Sequence, residues 1–277
     1  MSLKILTERT ERTEVHYIEN KIYEDRLYFF GENFNLQNIS SQSAIIIFMT
    51  ETRFNQIFSN IKCAIFDMDG TILDSMGMWH TIANTYLESI GKIPREDLWD
   101  NVKRLNMIET AQYFIDEYGV AKTIEEIGVE VKELIMKFYA ESLELKEGAK
   151  SFLKTLNERG IPCVLATATE RSCTIACMKR LDCEKYFKEI ITCLDLNTSK
   201  SSPLIFEESA RRCGAKAEES VVFEDALHAI RTAKKAGFKV CAVYDKSDEE
   251  RSEPSLTDWE RILSLCDASC TNLMELI

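Results

Sequence analysis

From Ile61 to Phe66 the chain is almost continuously apolar and then stops at a carboxylate, Asp67, with a second carboxylate at Asp69 and a glycine at Gly70. A short apolar run closed by a turn signal predicts a strand buried on both faces, with Asp67 at its carboxyl end. Beyond it the period changes. Trp79, Ile82, Ala83, Tyr86, Leu87 and Ile90 recur at helical spacing and end at Gly91. Leu98, Val102 and Leu105 predict a second helix, and Met107, Ile108, Ala111, Phe114, Ile115 and Tyr118 a third that stops at Gly119. Ile124, Ile127, Val131, Leu134, Ile135 and Phe138 predict a fourth, weakened by Gly128.

From residue 148 onward strands and helices alternate. A helix over Gly148 to Gly160 turns Phe152, Leu153 and Leu156 inward, and a strand over Ile161 to Ala166 ends at Thr167. A helix over Arg171 to Leu181 and a strand over Glu189 to Cys193 follow, then a helix capped by Ser202 with Pro203 at its first position. Two more strands span Ser220 to Phe223, which runs into Glu224 and Asp225, and Phe238 to Val243. A capping box from Thr257 to Glu260 opens a last helix. Five strands separated by helices predict an open α/β sheet, in which ligands bind beyond the carboxyl ends of the strands.

The N-terminal stretch reads differently. Tyr, Phe and Ile between Val15 and Phe34, interrupted by Glu-Asn-Lys and Gly-Glu-Asn, predict two or three short strands, and Ala44 to Met49 is another β-type run. Residues 1–12 are expected to be mobile, and Met49 offers an alternative start. The expected division is a β-type extension over 1–58, an α/β core over 59–75 and 148–277, and a helical insertion over 76–147.

Composition narrows the partners. Against 46 Asp and Glu stand 34 Lys and Arg, a net charge of −12, which argues against a nucleic acid or an anionic membrane as the main partner. Ten cysteines occur without a CxxC pair, and Cys173, Cys177 and Cys183 lie in or beside a predicted helix. They read as reduced, buried thiols of a cytoplasmic protein rather than as metal knuckles. No apolar run approaches the ~18 residues of a membrane helix, and no signal-peptide core is present. A monomer or weak homo-oligomer is expected.

Two carboxylates as close as Asp67 and Asp69 repel unless a cation or shared proton intervenes, and a bare D-x-D is most often a solvated turn. The longer string is more specific. A hydrophobic strand followed by DMDGT resembles the first motif of the haloacid dehalogenase-like hydrolases. Three later pieces resemble the remaining motifs in order: the strand-end Thr167, Lys200 three residues before the helix-starting Pro203, and the acidic pair Glu224-Asp225. The third motif departs in detail, with Ser201 and Leu204 where relatives carry Pro and Asp. Ala226 and Ala229 stand where many carry Ser and Gly.

The resemblance implies a Rossmann-like parallel core with an inserted α-helical cap, of the β-phosphoglucomutase-like branch. It implies Asp67 as nucleophile, Asp69 as general acid/base, and Thr167 and Lys200 as contacts to the transferring phosphoryl group. The Asp67 side chain, the Asp69 carbonyl, Asp225 and Glu224 would hold Mg2+, whose preference is for hard oxygen ligands. Without a cation, each like-charge pair at ~4 Å and an effective dielectric of ~20 costs on the order of 4 kcal/mol. Lys103 and Arg104 are the cap cations able to meet an anionic substrate, although such pairs commonly belong to a solvated helix face. His80 and His228 fall on helix patterns and read as packing or surface residues. The implied activity is Mg2+-dependent hydrolysis of a small phosphorylated metabolite through an aspartyl-phosphate, with a β-phosphoglucomutase-type phosphomutase as the alternative.

Overall fold

A computed structural model describes residues 26–29, 32–35, 59–103, 105–246 and 258–277. The chain divides into two units, Met1–Gln56 and Ile57–Ile277. In the first, strands β1 (Arg26–Phe29) and β2 (Glu32–Asn35) pair antiparallel, with Phe29 opposite Glu32. They fall at the end of the stretch expected to be strand-rich. The run from Ala44 to Met49, residues 1–12, Arg104 and Thr257 of the expected capping box lie outside the described residues.

The second unit is built on a six-stranded sheet in the order β5-β4-β3-β6-β7-β8, parallel throughout. Its strands are β3 (Cys63–Phe66), β4 (Cys163–Thr167), β5 (Phe187–Thr192), β6 (Ser220–Glu224), β7 (Lys239–Val243) and β8 (Ala268–Cys270). All four residues of β3 are wholly buried, as a central parallel strand requires. The chain leaves β3 toward β4 and β5, and later returns to the other side as β6, β7 and β8. The order reverses at β3, which makes its carboxyl end the switch point where ligands of open α/β sheets bind. The sixth strand was not predicted: three residues of small side chains, Ala-Ser-Cys, carry no alternation to read.

Among the described residues of 76–147, four helices follow β3: α1 (Met76–Ser89), α2 (Leu98–Val102), α3 (Met107–Tyr118) and α4 (Ile124–Glu141). Asn106 and Thr123 open α3 and α4 with reciprocal capping boxes to Glu109 and Glu126, and Gly119 closes α3 at φ 58°, a left-handed turn that glycine takes without strain. Of α4, Ile127, Val131, Ile135 and Tyr139 form the buried stripe. Around the sheet lie α5 (Ala149–Glu158), α6 (Arg171–Arg180), α7 (Leu204–Cys213), α8 (Leu227–Lys235) and α9 (Asp258–Leu263). The helix begins one residue later than expected, with Pro203 rather than Ser202 at its N-cap, although Pro203 has helical backbone angles and Ser202 Oγ accepts the Leu204 N–H at 3.4 Å.

The ten cysteines are free thiols, all buried except the half-buried Cys213 and Cys266. Among the described residues no helix is long and apolar enough to cross a membrane.

Candidate active site

Three adjacent strands end in the residues singled out by sequence. Asp67 follows the last residue of β3, and its N–H donates to the Phe223 carbonyl of β6 at 3.0 Å. Glu224 ends β6 with Asp225 next, and Thr167 ends β4. Below them Phe66 stacks on Phe223 with ring centroids 4.4 Å apart, and Phe152 of α5 meets both rings edge-on. This apolar floor fixes the two strands one residue short of Asp67 and Glu224 and keeps water out from beneath them.

Asp67, Glu224 and Asp225 are all buried, and one carboxylate oxygen of each lies within 4.8 Å of the others. Lys200, from the loop between β5 and α7, is buried with them. Its Nζ is in close contact with Asp67 Oδ1 and lies 2.6 Å from Glu224 Oε1. Glu224 Oε2 accepts the Ala226 N–H at 2.8 Å, so both Glu224 oxygens are engaged. Asp225 Oδ1 accepts the Thr71 hydroxyl at 3.0 Å. Burial opposes the Lys200 charge, but Asp67 and Glu224 together outweigh it and push the amine up, so it stays protonated. One ammonium does not balance three carboxylates. Burial pushes the Asp67 carboxyl up to about 7 despite Lys200, with Glu224 and Asp69 adding repulsion. Asp225 is raised well above the ordinary carboxylate range by burial and by the charges of Glu224 and Asp67.

Gly70 makes the tight exit from β3 possible. Its φ is +80°, and a Cβ there would stand 2.4 Å from Asp225 Oδ2 and 2.8 Å from its Cγ. Gly70→Ala is therefore expected to destabilise the fold by about 2 kcal/mol or more, through left-handed strain and the displacement of Asp225. Denaturant unfolding checks the loss, and cation titration of the variant checks the displacement.

The Asp69 carboxylate accepts hydrogen bonds from three hydroxyls. Ser75 Oγ donates to Oδ1 at 2.7 Å, Tyr139 Oη to the same oxygen at 2.5 Å, and Thr169 Oγ1 to Oδ2 at 2.6 Å. Thr169 also places Thr167, whose hydroxyl oxygen accepts the Thr169 N–H at 3.0 Å. The candidates thus gather at one sheet edge, with two exceptions. Lys103 Nζ lies 2.6 Å from Asp100 of its own turn, and Arg104 lies outside the described residues. His80 packs against Trp99 with ring centroids 4.5 Å apart and His228 is exposed on α8, in keeping with the packing and surface roles expected of them.

The sequence reading did not single out Thr71, Ser75, Thr169 or Tyr139. Thr71 ends the DMDGT string, Ser75 lies four residues beyond it, and Thr169 is two residues past a strand end. Tyr139 is legible only as the fourth member of the i, i+4 series that begins at Ile127.

A family model described as haloacid dehalogenase-like hydrolase matches residues 64–243. The chain is 27% identical over 179 residues to the phosphorylated carbohydrates phosphatase of Thermotoga maritima, covering 65% of this chain and 83% of that protein. It is 27% identical over 194 residues to (DL)-glycerol-3-phosphatase 2 of Arabidopsis thaliana, covering 67% and 80% respectively. The crystal structure of β-phosphoglucomutase from Clostridium difficile superposes with a TM-score of 0.55 at 18% identity, covering 78% of this chain and 93% of that one.

Proposed function

The chain belongs to the haloacid dehalogenase-like hydrolase family, and from that premise we propose that it hydrolyses a small phosphomonoester by way of a phosphorylated Asp67. The observation that carries the reading is the meeting of Asp67, Lys200, Glu224 and Asp225 at the switch point of the sheet, with Asp69 and Thr167 alongside. Relatives named as phosphatases of sugar and glycerol phosphates support the substrate class.

In this reading an Asp67 oxygen attacks phosphorus and a P–O bond to Asp67 forms. The bond to the leaving group breaks, and its electron pair stays on the departing oxygen, which takes the proton carried by Asp69. Water then attacks the same phosphorus and loses a proton to Asp69. The Asp67–phosphorus bond breaks, which returns a free Asp67 carboxylate and releases inorganic phosphate. Lys200 steadies the Asp67 carboxylate and neutralises the incoming phosphoryl oxygens, and the Thr167 hydroxyl offers a donor to one of them. Residues 76–147 form the proposed cap. Lys103 would exchange Asp100 for the substrate, with Arg104 beside it in sequence.

The acidic cluster fits a hard divalent cation. Every available donor is oxygen, the carboxylates are buried and short of positive charge, and raised Asp67 and Asp225 report that deficit. Asp67, Asp225 and the Asp69 carbonyl would hold Mg2+ directly, with Glu224 behind them as the partner of Lys200. When bound, the ion supplies charge neutralisation for phosphoryl transfer.

This has a consequence for stability. A carboxyl whose folded pKa lies above its unfolded value binds more protons folded than unfolded, so in the cation-free protein stability falls as pH rises from about 4 toward 7. Mg2+ is therefore expected to raise the melting temperature more at pH 8 than at pH 5. An equal or absent rise at both would remove the cation from the cluster. The function itself is tested with phosphorylated metabolites, with and without EDTA, by release of inorganic phosphate. Isomerisation of β-glucose 1-phosphate that outruns phosphate release would replace this reading with a phosphomutase.

A further inference from the structure

Tyr139 sits in the last turn of α4 and is completely inaccessible to solvent. A buried phenol needs a partner for its hydroxyl, and backbone carbonyls or solvent-facing groups commonly serve. Here the partner is Asp69, seventy positions earlier in the chain, at 2.5 Å. Ser75 behaves in the same way. It occupies the N-cap of α1 but makes no capping bond from its side chain, and it gives its hydroxyl to Asp69 Oδ1 at 2.7 Å. With Thr169 on Oδ2, three segments distant in sequence converge on one carboxylate: the loop after β3, the end of α4 and the loop after β4.

The end of α4 is itself pinned. Arg180 of α6 donates from its Nη2 to the Leu143 carbonyl and from its Nε to the Tyr139 carbonyl at 3.5 Å, and α4 packs along α6. Burial, the Asp69 charge and the hydrogen bond to it all push the phenol up, so Tyr139 keeps its own proton.

We propose that Tyr139 is a positioning residue for proton transfer: its hydroxyl fixes the rotamer of Asp69, so the carboxyl meets the leaving oxygen only when α4 is seated against α6. The inference rests on the reading of Asp69 as the proton-transfer group. When the bond from phosphorus to the leaving oxygen breaks, the proton delivered to that oxygen comes from Asp69, and Tyr139 neither gains nor loses one. A misplacement of about 1 Å at such a group costs up to ~100-fold in rate.

The leaving group separates positioning from packing. A nitrophenolate departs without protonation, whereas an alkoxide does not, so a badly placed Asp69 penalises the second substrate alone. For Tyr139→Phe, kcat/KM is expected to fall about 10- to 100-fold with glycerol 3-phosphate, about threefold or less with p-nitrophenyl phosphate, and by an intermediate factor with phenyl phosphate. A purely structural role would lower all three together, and equal losses, or none, would overturn the proposal. Ser75→Ala removes a second donor to the same oxygen and should show the same selectivity at smaller size. If the phenylalanine variant does not fold, an unselective Ser75→Ala overturns the proposal on its own. Asp69→Asn separates the two levels of the argument. Without a leaving-group effect in that variant, the role given to Asp69 falls. With one there and none at Tyr139, only the positioning role falls.

Discussion

Asp67→Asn abolishes turnover by about four orders of magnitude or more while leaving the protein folded; this is the expected result with the largest effect on activity. The amide keeps the shape of the side chain but offers no anionic oxygen to phosphorus. Stability should change little, because two consequences oppose each other. The variant loses the contact of Asp67 with Lys200, but it also loses a buried negative charge that Glu224 and Asp69 repel. Lys200 is not stranded, since it retains Glu224 at 2.6 Å. Phosphate release and thermal unfolding, measured on the same preparation, check both halves. A folded variant that still turns over would move the nucleophile to another residue.

Lys200→Ala should have the largest effect on stability. It removes the ammonium that faces Asp67 and Glu224 from within the cluster and leaves three buried carboxylates facing one another. Breaking a buried ion pair from one side typically costs about 3–5 kcal/mol, because the remaining charge is uncompensated. The loss has a distinctive pH dependence. Without Lys200 the carboxyl groups are pushed further up, so the folded state binds extra protons over a wider range above pH ~4, and the variant regains stability as pH falls. Mg2+ should restore part of the loss at neutral pH, and the concentration needed for activity should rise. Urea unfolding at pH 5 and pH 7.5, with and without Mg2+, reads these effects. A loss independent of both pH and cation would mean that Lys200 contributes through its aliphatic stem alone.

Much of this site was legible in the sequence because an open parallel sheet converts linear order into position. A strand buried on both faces announces itself as an apolar run, and whatever follows it stands at the ligand-binding edge. The apolar run ending at Asp67 is legible in this way, whereas Thr167 and Glu224-Asp225 carry meaning through the order of motifs they resemble; the structure puts all of them at the ends of β3, β4 and β6. Lys200 depended on a motif rather than on a strand end. The three hydroxyls on Asp69 were beyond reach for a different reason. Hydroxyl residues are common at turns and on helices, and only the tertiary arrangement selects which of them face a carboxylate. The strand β8 was missed because three small residues, Ala268 to Cys270, carry too little pattern to separate strand from loop. The position of Lys103 beside Asp100 is local, a helical i, i+3 pair whose spacing is visible in sequence.

The central position of β3 also bears on how the chain reaches this state. The strand is made early in sequence, yet neither neighbour exists until much later: the chain must pass from Phe66 to Cys163 before β4 can pair with it, and on to Ser220 before β6 can. Closing so long a loop is entropically costly, whereas helices form from near contacts and much sooner. Early formation of α1 to α4 therefore shortens the distance that β3 and β4 have to search. Until both neighbours arrive, four apolar residues of β3 stand with unpaired edges, in the form most prone to join another chain. Slow synthesis or a weakened capping box at the start of α3 or α4 would lengthen that interval, and loss of protein to aggregates would then precede any loss of native stability.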